Sequence, residues 1–303
     1  MSGGHSHGAP GPGQRRALTV VLAISSAVLA AEVTGAFLSG SLALLADAGH
    51  MLSDVAGLGL ALTATVLAAR PVSDTRTWGY LRAEVLAAAA QAAVLLAVGG
   101  FVLAEAIRRL ITPPPVTPGV MVVFGVIALA GSLVSVLVLS RLRGGNLSTR
   151  AALLEVASDA LGAAAVLAAA AVIALTSWTR ADPVASLLIG MLIVPRTVQL
   201  LREAVRVLME ATPRDVDLTE VRAHLLAVEH VQGVHDLHAT AVASTLPVLT
   251  AHVVVDDSCF EDRHLPELLD QLQQCLAGHF DVEHSTIQFE PASHADHEHA
   301  THP

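Results

Sequence analysis

SLALLADAGHMLSDVAGLGL, residues 41–60, is an apolar run that nonetheless holds Asp47, His50 and Asp54. A bilayer span needs about 20 mostly apolar residues, and this stretch supplies them. An acid in the middle of such a span is costly, so it marks a functional site by default. His50 and Asp54 are four residues apart, which puts them one turn above each other on one face of a helix. Asp47 lies nearer the start of the span and reads as a capping or interfacial residue.

The rest of the chain fits a membrane setting. Of its 303 residues 53% are hydrophobic, 15% charged and 3% aromatic, a combination that soluble domains rarely show. Apolar periods predict six spans, at 17–38, 42–69, 81–107, 118–140, 149–178 and 183–208. Pro113, Pro114, Pro115 and Pro118 mark the turn between the third and fourth, and Gly144, Gly145 and Asn146 the loop between the fourth and fifth. Asp182-Pro183 reads as the cap and first residue of the sixth. The first apolar run leads straight into further spans, so it is expected to stay as an anchor.

Charge is unevenly placed. Residues 1–212 carry 11 of the 27 acids and residues 213–303 the other 16, while Arg is the only strong base. With six spans, Arg15, Arg16, Arg70, Arg76, Arg82, Arg141, Arg143, Arg150, Arg202 and Arg206 fall on one side of the membrane. Arg108, Arg109 and Arg180 fall on the other. The positive-inside rule then places both termini in the cytoplasm, with Arg108 and Arg109 against the trend. The acidic, water-soluble end argues against nucleic acid as a partner, because phosphate binding needs clustered bases.

Past Pro213 the pattern changes to helix 216–228, strands 233–243 and 248–255, helix 265–276 and strand 285–289. That order, αββαβ, predicts a small α+β open-faced sandwich of ferredoxin-like type. The domains are thus a His-containing tail at 1–14, a six-helix transmembrane region at 15–210, a cytoplasmic domain at 211–291 and a His-rich tail at 292–303. Both tails are polar and are expected to be disordered. Cys259 and Cys275 are too few for a disulfide framework and read as small core residues.

A second intramembrane pair, Glu155 and Asp159, sits in the fifth span at the same four-residue spacing. Two helices that each present a pair of ligands can surround one ion. Imidazole with carboxylate suits zinc, which favours four ligands in a tetrahedron. Glu32 in the first span stands alone and reads as helix-packing glue.

At these positions the chain resembles the cation diffusion facilitator family of metal–proton antiporters. Ser41–Leu60 resembles its second span, Leu154–Ala164 (LEVASDALGAA) its fifth, and Asp182–Gly190 with the run to Pro213 (LLREAVRVLMEATP) its sixth and the exit from it. The likeness extends from about residue 15 to 291. It implies export of zinc, with cobalt, cadmium and manganese as further candidate cations. The ion would sit between His50, Asp54, Glu155 and Asp159, with protons as counter-ion and no enzymatic step. Metal binding requires the ligands to lose protons, His50 can change charge near neutral pH, and alternating access would expose the site to each side in turn. The chain would then be a multi-pass protein of the plasma (inner) membrane.

The resemblance also implies a homodimer whose cytoplasmic domains hold zinc in a structural or regulatory role, at positions matching His235, His252, His264 and Glu290. The remaining His238, His224, His230, His279 and His284 read as solvated. Glu155 departs from the family, whose zinc-preferring branch usually has His there. With three carboxylates the bound site keeps about one excess negative charge, which low dielectric disfavours, so a retained proton or a nearby Arg is expected. The harder ligand set should also discriminate less against cobalt or manganese. The loop between the second and third spans has no His, so no metal site is expected there. Tyr80–Glu84 reads as an interfacial anchor with its own salt-bridge partner. The tails GGHSHG (3–8) and HADHEHATHP (294–303) could collect metal loosely. The rival reading is a membrane-bound sensor or storage module that binds metal without moving it. An intramembrane metalloprotease would need a His-Glu-x-x-His motif, which the sequence lacks.

Overall fold

The computed structural model describes residues 12–68, 70–140, 147–243, 246–282 and 284–295. Six long helices come first: α1 (Pro12–Ser39), α2 (Leu42–Ala68), α3 (Arg82–Ile111), α4 (Pro118–Ser140), α5 (Leu147–Thr176) and α6 (Ala181–Leu208). All but α2 meet the length and hydropathy of a bilayer span. At 27 residues, α2 reaches about 40 Å, enough for the sixth crossing. The helices match the six spans expected from the sequence to within a few residues at most ends. The expected loop at Gly144–Asn146, Arg141, Arg143 and most of both tails lie outside the described residues.

Glycine lets these helices approach closely, as small residues do in membranes. A Cβ at Gly35 of α1 would meet the Phe124 ring of α4 at 2.5 Å, and one at Gly125 of α4 would meet Leu167 of α5 at 2.9 Å. Small residues of the core, among them Ala43, Ala106, Ala170 and Ala185, pack with Leu42, Met121 and Val166. Large apolar side chains such as Phe37, Phe101 and Leu175 face outward, as lipid contact requires.

Asp182 departs from its expected role. Helix α6 begins at Ala181, so Asp182 lies inside its first turn and caps a different helix. Its carboxylate accepts from the backbone N–H of Leu42 (2.8 Å) and Ala43 (3.2 Å) and from the Ser41 hydroxyl (2.5 Å). Those N–H groups are the orphan donors at the start of α2, here satisfied across the bundle by a residue that is 1% exposed. Arg109 completes this end of the bundle. It is held by Glu105 at 2.8 Å and donates to the Gly40 carbonyl at 2.6 Å. Arg108 is held by the same Glu105. The two arginines that ran against the orientation rule are therefore offset by an acid, and Arg109 serves the turn between α1 and α2.

By compactness the chain forms two units, Met1–Leu60 with Ala90–Leu201 and Ala61–Ala89 with Arg202–Pro303. One end of α2, of α3 and of α6 groups with the αβ region. That region runs α7 (Leu218–Leu226), β1 (Val231–Ala243), β2 (Leu246–Val255), α8 (Ser258–Glu261), α9 (Leu265–Phe280), β3 (His284–Pro291) and α10 (Ala292–Ala295). The order αββαβ stands, with the short α8 and α10 added. Residues 292–295, expected to open a disordered tail, form α10 instead. The sheet order is β1-β2-β3, with β1 antiparallel and β3 parallel to β2. Parallel pairing needs a crossover, which α9 supplies, and Leu268, Leu272 and Leu276 bury its inner face. Cys259 is buried, Cys275 is half-buried, and both are free thiols. Burial pushes both thiols up, which leaves them poor nucleophiles.

Replacing Asp182 with Ala would leave two buried backbone donors unpaired. Thermal unfolding in detergent should show a loss of about 2 kcal/mol or more, with Asp182→Asn retaining part of it. Equal stability of wild type and Asp182→Ala would refute the capping role.

Candidate metal centres

The bundle brings three of the four expected intramembrane ligands together. His50 Nε2 lies 3.7 Å from Asp54 Oδ2 on its own helix and 3.6 Å from Asp159 Oδ1 on α5. One ligand atom from each of the three lies within 4.8 Å of the others. His50 Nδ1, Asp54 Oδ2 and Asp159 Oδ1 are buried and have no hydrogen-bond partner. Buried polar atoms are normally satisfied, and each unpaired one costs about 1–3 kcal/mol or more. Imidazole and carboxylate oxygen at this spacing suit a divalent cation.

Glu155 lies outside the three-residue group. Its carboxylate is 3.6 Å from Arg196 of α6 and its side chain is 35% exposed, against 6% for Asp159. Arg196 escaped the sequence reading because it follows Pro195 in a span already counted as apolar. A basic residue inside a span was the available signal. The Arg expected to offset the third carboxylate is thus present beside it.

Two further acids are buried in the bundle. Asp47, expected to cap a helix or to lie at the membrane interface, is instead 2% exposed and packs between α2 and α5 against Gly162, where a Cβ would collide with its carboxylate. Glu32 is 1% exposed and neighbours Asp47, yet neither of its oxygens has a geometrically sound hydrogen bond. It lies between α1 and α2, the place expected of a residue that packs helices together. Gln91 of α3 was also missed. Its amide donates to the Ser53 carbonyl at 2.7 Å and to the Ser53 hydroxyl at 3.2 Å. That tie holds α2 beside Asp54, and Gly57 leaves room for it.

In the αβ region, His235 of β1 and His252 of β2 are paired in register, and Glu290 of β3 reaches both. His235 Nε2 is 3.1 Å from Glu290 Oε2, and His252 Nδ1 is 2.7 Å from Glu290 Oε1. Glu290 is 1% exposed and also accepts from Gln288 at 2.7 Å. The register slips between His235 and His238, so a bulge re-aims this part of β1. Asp236, at φ 48°, lies there, 3.9 Å from His252 Nε2.

His264 does not join this group. Its Nδ1 is 3.4 Å from Glu267, and its ring is 5.4 Å from that of His230. The family resemblance matched it to a cytoplasmic ligand, and it lies in the turn before α9. Of the histidines expected to be solvated, His224, His279 and His284 are exposed, the last edge-on to Trp78. His230 instead bonds Asp256 at 3.1 Å, and His238 bonds Asp236 at 3.2 Å. Bonds from His230 and then Gln232 hold the Asp256 carboxyl below the usual carboxylate range.

Fold and sites together define a multi-span membrane protein with one metal-ligand cluster between its helices and another on its αβ sheet. Residues 18–209 match the cation efflux transmembrane domain, and residues 213–292 match the cytoplasmic domain of cation efflux proteins. The chain belongs to the cation efflux family, whose members are transporters and not enzymes. It is 43% identical to the metal cation efflux system protein CzcD of Cupriavidus metallidurans, over 98% of this chain and 93% of the relative. It is 39% identical to the zinc transporter ZitB of Escherichia coli, over 96% and 93%. With the cadmium, cobalt and zinc/H(+)-K(+) antiporter of Bacillus velezensis it shares 35%, over 96% and 93%.

The contact between Asp47 and Gly162 gives a direct test. Gly162→Ala would force α2 and α5 apart and should cost about 1–3 kcal/mol in thermal unfolding. Gly100→Ala, where a Cβ meets nothing within 4 Å, should be neutral or gain up to about 1 kcal/mol. The opposite ranking would remove Asp47 from the helix interface.

Proposed function

We propose that this chain exports zinc from the cytoplasm in exchange for protons, binding the ion between α2 and α5. The observation that carries this reading is the cluster of His50, Asp54 and Asp159, whose buried ligand atoms lack partners. Protons and metal compete for those same atoms. A cation arriving from the cytoplasm displaces protons there, and protons displace it once the site faces outward. Both termini would be cytoplasmic, in the plasma (inner) membrane. The relatives support the substrate, since one is named a zinc transporter and another an antiporter of cadmium, cobalt and zinc with H(+) and K(+).

Glu155 becomes the fourth ligand when metal arrives, turning from Arg196 toward the ion. Arg196 then offsets the excess negative charge that three carboxylates would leave, so the complete site is neutral with His50 uncharged. In the αβ region His235, His252 and Glu290 hold a second zinc ion in a structural or regulatory role, and the domains of two copies meet to form a homodimer. Three protein ligands leave a coordination position for a group from elsewhere.

Zinc uptake into proteoliposomes should require a pH gradient. Asp54→Ala or Asp159→Ala should lower it by about 100-fold or more, since even outer partners of metal ligands are worth about 10- to 100-fold. Zinc bound without flux, or flux indifferent to both the gradient and Asp54→Ala, would instead establish a sensor or storage module.

Glu155→His should shift selectivity toward zinc over cobalt and manganese and change the pH dependence of flux, because it removes a hard ligand and strands Arg196. Unchanged selectivity and pH dependence in competition flux assays would take Glu155 out of the site.

A further inference from the structure

The connection between α2 and α3 and the start of α3 border an open cleft of about 450 Å3, lined among others by Arg76, Trp78, Tyr80, Arg82, Ala83 and Leu86. We propose that this cleft binds the headgroup of an anionic phospholipid. Its volume lies in the range of small-molecule sites, and its chemistry is divided in the way a lipid is. One wall is cationic and aromatic. The Arg76 guanidinium lies over the Tyr80 ring at 4.4 Å and that of Arg70 at 5.8 Å, a stacking that orients the cations and leaves N–H groups free to donate.

The opposite wall is the first turns of the membrane helix α3, where Leu86 is 56% exposed. A phosphate on the arginines would place its acyl chains along that helix, whereas a free anion has no use for Leu86.

The charge balance favours the same occupant. Arg82 is committed to Glu210 at 2.7 Å. Among the described residues neither Arg70 nor Arg76 is paired with an acid, and Asp74 in the same turn pairs with neither. Two uncompensated guanidinium groups at the mouth of a membrane helix attract anionic headgroups. Trp78, 39% exposed, and Tyr80 are the side chains that settle at headgroup depth.

The test uses the full-length protein purified in mild detergent, with retained lipid counted by native mass spectrometry. Dioleoylphosphatidylglycerol should be retained in preference to dioleoylphosphatidylcholine. Arg76→Gln should weaken that retention about fivefold, the change that about 1 kcal/mol per surface arginine corresponds to. Arg76→Lys should recover part of it, and Arg263→Gln, the same loss of charge in the αβ region, should have no effect. The proposal is overturned if Arg76→Gln retains the anionic lipid as wild type does, or if phosphatidylcholine is held equally well. It is also overturned if glycerol 3-phosphate displaces the lipid at equal concentration, which would make the ligand a free phosphate.

Discussion

His50 stands between two carboxylates, Asp54 at 3.7 Å and Asp159 at 3.6 Å, inside a bundle whose outer surface is apolar. Ionisable groups at that depth are tolerated only when they face the interior and have a counter-charge to meet. The constraint fixes which face of α2 and of α5 turns inward. Gly162 allows α5 to approach Asp47, and Gln91 ties α3 to Ser53 beside Asp54. The far end of the bundle serves the same purpose, because Asp182 fixes where α2 begins and so where His50 and Asp54 fall along it.

The two ligand clusters are built by different means. Between the helices, the four-residue spacing on α2 supplies two ligands and α5 a third from 105 residues further along the chain. On the sheet, strand register supplies the pair His235 and His252, and a parallel neighbour supplies Glu290. The membrane cluster has buried atoms without partners, whereas the sheet cluster is closed by Glu290 bonding to both histidines.

Charge compensation links the unusual acid to the unusual base. Glu155 stands where relatives of the zinc-preferring kind are expected to have His, and Arg196 lies 3.6 Å from it. Glu105 plays the matching role at the opposite end, holding Arg108 and Arg109. In each case an ion pair lets a charge sit within or at the edge of a span that hydropathy alone would call apolar.

The sequence by itself determined the six helices, the αββαβ order and the spacing of His50 with Asp54, because periodicity and hydropathy are local properties. It also marked His235, His252 and Glu290 by position. Only the tertiary structure decided that Asp182 caps α2, that Asp47 is buried against Gly162, that Glu155 meets Arg196, and that His264 leaves the sheet cluster for Glu267. The first three bring together positions far apart along the chain and are chosen by helix packing, which no local pattern of residues encodes; the last, three residues apart, is set by the turn before α9.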